Sequence, residues 1–201
     1  MLRTTRTLRS SLIAAAVLTT ALTLSACSST SPAADAPTSD TGESTATSSA
    51  ANAADVEFAQ MMIPHHEQAV QMSEDLLAKL DTDPRVVALA TEIKAAQEPE
   101  ITQLTDWLTA WGADTGGMAD MNHGTDGMMS EADMMTLSDA SGADADRVFL
   151  ELMITHHEGA IAMAETHIDE GSNADAQALS AAIVAAQSAE IAVMTDLLAA
   201  S

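Results

Sequence analysis

Along residues 84–111, apolar side chains fall at Val86, Leu89, Ile93, Leu104 and Leu108, and along 174–200 at Leu179, Ile183, Met194 and Leu197. These spacings place each set on one face of a helix. Two further stretches, 55–80 and 146–170, carry the same period in Met62, Ala69 and Met72 and in Met153, Ala160 and Met163. Four helices of about 38–42 Å follow at 1.5 Å per residue, matched lengths that suit an antiparallel four-helix bundle. Asp83-Pro84 supplies an N-cap and a first-turn proline, and Gly171 lies just past the third helix. Connections at 81–83 and 171–173 are short enough to force helical hairpins. The link 112–145 is longer, and Ser130-x-x-Asp133 within it starts a short helix. Pro64 and Pro99 fall inside the expected helices, where kinks or local breaks are expected.

The two hairpins are one unit written twice. Phe58, Met62, Ile63, His65-His66-Glu67, Ala69 and Met72 recur 91 residues later as Phe149, Met153, Ile154, His156-His157-Glu158, Ala160 and Met163. Ala95-Ala96-Gln97-Glu98-Pro99-Glu100-Ile101 recurs 90 residues later as Ala185-Ala186-Gln187-Ser188-Ala189-Glu190-Ile191. Internal duplication of a helix pair yields an all-α protein.

The N-terminal quarter has a different character. Arg3, Arg6 and Arg9 precede an apolar run from Leu12 to Leu24, the charged and apolar regions of a secretory signal, too short for a confident membrane span. The run ends Leu24-Ser25-Ala26-Cys27, which resembles the lipobox of bacterial lipoproteins. That resemblance implies a signal peptide over 1–26 and lipidation of Cys27; the alternative is a plain signal cleaved near Ala26. Residues 28–54 hold seven Ser, five Thr and eight Ala but no large apolar side chain, so 27–54 reads as a flexible tether. As a random coil it spans roughly 30 Å. The functional region is then 55–201, outside the cytoplasm and anchored to the bacterial cell membrane.

Composition narrows the chemistry. The chain has 30 acidic residues against 7 Lys and Arg, two Phe, two Trp, no Tyr, 13 Met and one Cys. A core built from Ala, Leu, Ile, Val and Met is the palette of packed helices. The acidic balance argues against nucleic acid and anionic lipid surfaces as partners. One cysteine excludes an internal disulfide and a multi-thiolate metal site.

Polar groups interrupt the apolar face of every helix. His65 and His66 share the face of Met62 and Met72, and His156 and His157 that of Met153 and Met163; Gln97 and Glu100 interrupt the second helix, Gln187 and Glu190 the fourth. An unpaired buried carboxylate costs several kcal/mol or more, so these groups should answer one another. One reading is a metal-free hydrogen-bond network that fixes helix register. Imidazole together with thioether is also the ligand set of a soft or borderline metal, copper above all. Di-iron bundles place a Glu-x-x-His on each of two helices and a lone Glu on the others. Here Glu100 and Glu190 stand for the lone acids, but Met62-x-x-His65 and Met153-x-x-His156 replace the Glu-x-x-His, which favours Cu(I) over iron.

Met118, Met121, His123, Met128, Met129, Met134 and Met135 crowd the link. Met134 and Met135 read as the packing face of the short helix. Met118, Met121 and His123, with Met128 and Met129, suggest a second place for copper capture. His167 has Leu76 as its counterpart and reads as a surface group or a support to a ligand. Glu67 and Glu158 lie at the edge of the histidine pairs, as solvated residues or as orienting partners.

Met-Ile-Pro-His-His-Glu-x-Ala at 62–69 and Met-Ile-Thr-His-His-Glu-Gly-Ala at 153–160, each followed by an Ala-Ala-Gln-x-x-Glu-Ile helix, resemble the domain of unknown function 305 family. Gly127-Met128-Met129 also resembles its linker. The resemblance covers about 55–201. It implies a ferritin-like four-helix bundle in an exported bacterial protein associated with copper binding and tolerance. Carried onto matching positions, it points to Met62, His65, His66, Met72, Met153, His156, His157 and Met163. Thr155 departs from the family's usual proline.

Three functions fit these features. The first is a lipid-anchored copper buffer or carrier holding Cu(I) or Cu(II), able to deliver it to a protein partner. Its binding should weaken as pH falls through the imidazole range. The second is a di-metal oxidase using the same pocket, disfavoured by the missing Glu-x-x-His. The third is a metal-free adaptor for another envelope protein. No nucleophile with a base partner stands out, so hydrolase chemistry has no support.

Overall fold

The computed structural model describes residues 50–115 and 127–200. Five helices occur among them, and no strand: α1 (Ala53–Leu77), α2 (Pro84–Trp111), α3 (Glu131–Asp139), α4 (Gly142–Glu170) and α5 (Ala174–Ala199). The expected span of α2 is met at both ends. α1 stops three residues short of Leu80, and α4 begins four residues before Asp146. Of the kinks or local breaks expected at the prolines, a break is absent: α1 and α2 run on through Pro64 and Pro99. α1 begins at Ala53, inside the stretch 27–54 that composition set apart. Asn52 caps α1 in a capping box with Asp55, and its side-chain amide donates to the Glu170 carbonyl at 2.8 Å. Cys27 and residues 1–26 lie outside the described residues.

α1 packs on α2, α4 on α5, and α1 on α4, while α2 and α5 barely meet. The short α3 docks on α1 and α4. Its start, Ser130, forms the expected capping box with Asp133. Its end is held by Lys79, whose ammonium donates to the Ser138 and Ala140 carbonyls at 2.8 and 2.9 Å, a cation where a helix C-terminus favours one. Met134 is half-buried against the core and Leu137 fully buried, whereas Met135 points to solvent.

Each hairpin turn is tied by an aspartate from the other hairpin. Asp55 accepts from the backbone N–H groups of Ser172 and Asn173 at 3.1–3.2 Å, and its counterpart Asp146 accepts from Asp83 N–H at 2.8 Å. These amides belong to helix starts that cannot pair internally, so the crossed caps join the halves. The first tie is reinforced. His167 lies between Asp55 (Nε2 to Oδ1, 2.9 Å) and Ser180 (Nδ1 to Oγ, 2.7 Å), with Phe58 stacked on its ring at 4.2 Å between centroids. His167 is therefore a buried tie between α1, α4 and α5, not a surface group. In the first half Leu76 and Ala90 stand where His167 and Ser180 stand in the second, so the polar pair is exchanged for an apolar one as a unit.

Burial pushes the Asp55 carboxyl upward, but hydrogen bonds from the Asn52 backbone, His167, and the Asn173 and Ser172 backbones outweigh it, leaving its pKa lowered to about 2. Gly171, extended at φ −69° rather than left-handed, is required by proximity to this tie. A Cβ there would lie 2.5 Å from His167 Nε2 and 2.8 Å from the His167 carbonyl.

Candidate metal centre

Two apolar clusters divide the core. One contains Met72, Leu76, Leu89, Ile93, Phe149 and Met153; the other contains Phe58, Met62, Leu104, Leu108, Ala160 and Ile183. On every long helix the polar interruption falls between the positions that feed the two clusters. Residues 65 and 66, 97 and 100, 156 and 157, and 187 and 190 thus form one polar layer across the core. The duplication makes this unavoidable: whatever α1 and α2 place at mid-height, α4 and α5 place there too.

Within the layer, the His65 and His156 rings meet with centroids 3.7 Å apart and planes tilted by 39°. The His157 ring lies 6.4 Å from His156. All four histidines are buried, with His66, His156 and His157 at 0% exposure. His66 Nε2 is 2.7 Å from Glu100 Oε2, and His157 Nε2 is 2.6 Å from Glu190 Oε2. Both carboxylates reach toward the surface, at 23% and 21% side-chain exposure. A groove of about 440 Å³ between α2 and α5, lined by Arg85, Leu89, Glu92, Ala189, Glu190 and Val193, leads to the Glu190 side.

Several buried polar atoms of the layer have no well-formed hydrogen bond among the described residues: Nδ1 of His66 and His157, both ring nitrogens of His156, both amide atoms of Gln97, and Oε1 of Gln187. Burial first, then the imidazoles of His65, His157 and His66, pushes the His156 pKa well below its usual range. A hydrogen bond with the His65 backbone opposes that shift without cancelling it. Buried polar atoms cost roughly 1–3 kcal/mol each when unsatisfied. They fit an electrophile that accepts imidazole lone pairs.

The thioethers flank the layer from both sides. Met62 and the half-buried Met163 belong to one apolar cluster, and Met72 and Met153 to the other. Met62 and Met153 each stand one turn before a histidine pair on the same face. Among the described residues, no three His, Cys, Asp or Glu side chains are arranged to hold one ion. Glu100 and Glu190, expected as ligands, are engaged with His66 and His157. Glu67 and Glu158 are exposed.

The returning link reaches this region. Gln68 bonds the Met129 backbone in both directions, its amide donating to the carbonyl at 2.9 Å and its oxygen accepting the N–H at 2.7 Å. Gly127 (φ +80°) presses on α4, where a Cβ would come within 2.7 Å of Gly159 Cα and 3.0 Å of the His156 carbonyl. Gln68 and Gly159 are counterparts in the duplication, so the strap 127–129 crosses between the halves one turn from the histidine pairs. Sequence reasoning missed Gln68, Gly159 and the His167 tie. The signal was present in the places where the two copies differ: Gln against Gly, and His with Ser against Leu with Ala. Met128 and Met129 are half-buried beside the strap contacts. Met118, Met121 and His123 lie outside the described residues.

The fold and the layer define an all-helical protein with facing histidine pairs in its core. Residues 55–198 match the domain of unknown function DUF305, and the chain belongs to that family. It is 33% identical to a Streptomyces coelicolor DUF305 protein described as secreted, with a TM-score of 0.68 over 73% of this chain and 92% of that one. A DUF305 fragment from Deinococcus radiodurans is also 33% identical, with a TM-score of 0.69 over 75% and 99% of the two chains. CopM in its Cu(II)-bound form is 31% identical, with a TM-score of 0.62 over 72% and 95%. CopM has also been solved with Cu(I) and with Ag. No curated protein matches the chain.

Proposed function

We propose that this protein is an extracytoplasmic copper-binding lipoprotein, a buffer or carrier anchored through Cys27, whose four long helices act as an antiparallel, ferritin-like bundle around the ion. Copper is the cargo. Its ligands come from His65, His66, His156 and His157, with Met62, Met72, Met153 and Met163 as the sulfur donors. Met128 and Met129, with Met118, Met121 and His123, capture metal on the link and pass it inward. Kinship with CopM, solved with Cu(II), Cu(I) and Ag, supports the choice of metal. Kinship with a protein described as secreted supports the compartment.

The observation that carries this reading is the meeting of His65 and His156 at 3.7 Å in a buried layer flanked by thioethers. A metal-free register network would satisfy its members, yet His156 and Gln97 are left without well-formed hydrogen bonds among the described residues. Neutral imidazole and thioether donors select soft or borderline ions, while the acidic surface raises the local concentration of cations. Calorimetric titration with Cu(I) and Cu(II), with native mass spectrometry for stoichiometry, tests it. Stoichiometric uptake that disappears when His65, His66, His156 and His157 are all changed to Ala supports the reading. No uptake, or unchanged uptake by the variant, overturns it.

A further inference from the structure

Glu100 and Glu190 hold the outer histidines in a specific way. Each carboxylate meets its histidine at Nε2, at 2.7 Å for His66 and 2.6 Å for His157. A carboxylate acting as acceptor at this distance calls for the proton on Nε2 of each ring. Nδ1 of both rings is buried and has no hydrogen-bond partner among the described residues. One ring edge is thus turned to a carboxylate near the surface and the other is held inside the layer.

We infer that Glu100 and Glu190 are positioning residues that lock His66 and His157 as Nε2–H tautomers and so make Nδ1 the metal-ligating atom of each. The inference rests on the metal-binding reading of the layer and adds to it the ligating atom and the role of the acids. The carboxylates act through the imidazoles: they orient each ring, fix its tautomer and increase its basicity toward a metal on the opposite edge. The His65 and His156 rings are held differently, by contact with each other and by burial. The copies agree on this point, since His66–Glu100 and His157–Glu190 repeat the same bond at the same register. The di-iron comparison casts these acids as ligands; the geometry gives them a different task.

Nitrogen NMR on the full chain labelled with ¹⁵N decides the matter, because tautomer and ligation are read from separate resonances. In the metal-free protein, His66 and His157 should show a pyrrole-type Nε2 and a pyridine-type Nδ1. Ag(I), a diamagnetic stand-in for Cu(I), should then shift Nδ1 of both rings and couple to it, with Nε2 remaining protonated. Glu100→Gln and Glu190→Gln keep an acceptor oxygen and should retain the tautomers. Glu100→Ala and Glu190→Ala should give mixed tautomers and bind Ag(I) about 10–100-fold more weakly. An Nδ1–H tautomer in the metal-free wild type, or Ag(I) coupling to Nε2, overturns the inference even if an alanine variant fails to fold. Absence of Ag(I) uptake by wild type overturns the metal reading and the ligating role with it, while the metal-free spectra still decide the tautomers.

Discussion

His65 and His156 face each other across the α1–α4 contact with ring centroids 3.7 Å apart, one imidazole from each copy of the repeat. Each histidine alone is an ordinary inward polar residue. Together they place two nitrogen-bearing rings in a region that hydrophobic packing would otherwise fill. The resulting tension between stability and binding is measurable.

Replacing His156 by Leu should separate the two. The substitution removes two buried nitrogens that lack well-formed hydrogen bonds and supplies a side chain the neighbouring clusters accept. The metal-free variant should be about 1 kcal/mol or more stable than wild type in urea denaturation. Its Cu(I) affinity should fall at least tenfold. A variant that loses stability would show that His156 has partners in the metal-free state.

Gln97→Leu makes the same test away from the imidazoles. Both amide atoms of Gln97 are buried and unpartnered among the described residues. A gain of about 1 kcal/mol is expected in denaturant midpoint experiments.

Asp55 supplies an acid-labile share of the stability. Its folded pKa is about 2 against an ordinary 3.8, so folding favours the ionised form. That contribution, about 2 kcal/mol, is complete above about pH 5 and is lost as pH falls through 3.8 and on through 2. Asp55→Asn should therefore lie below wild type in stability at pH 7, with the gap narrowing as pH drops from 4 to 2. Urea titrations at several pH values check this; a gap independent of pH would contradict the assignment.

Gly171→Ala should cost about 1–3 kcal/mol, because a Cβ there meets the His167 ring and carbonyl inside normal contact distance. Gly112 is the control. It caps α2 at φ +69°, and a Cβ there would have nothing within 4 Å, so alanine incurs only backbone strain. Thermal unfolding of both variants should rank Gly171→Ala as the more damaging.

Gln68→Ala should loosen the strap. It removes both hydrogen bonds to the Met129 backbone, each worth about 1 kcal/mol, and leaves Gly127 pressed on α4 alone. Limited proteolysis should then cleave between 127 and 130 faster than in wild type, with little change in global unfolding.

Much of this protein is decided by local sequence. The helix period, Asp83-Pro84 and the Ser130–Asp133 capping box set where α2 and α3 begin, because caps and periodicity act within a turn or two of chain. The duplication, legible as two His-His-Glu triplets 91 residues apart, requires both hairpins to carry polar groups at the same height. Only the tertiary structure decided which of those groups meet. Period alone cannot say that His65 finds His156 while His66 finds Glu100, since neighbours one residue apart differ by about 100° in direction around the helix. Nor could it show that α1 and α2 continue through Pro64 and Pro99, or that His167 closes on Asp55 from 112 residues away. Those outcomes depend on which helix faces are pressed together, and the packing of apolar clusters on either side of the layer sets that.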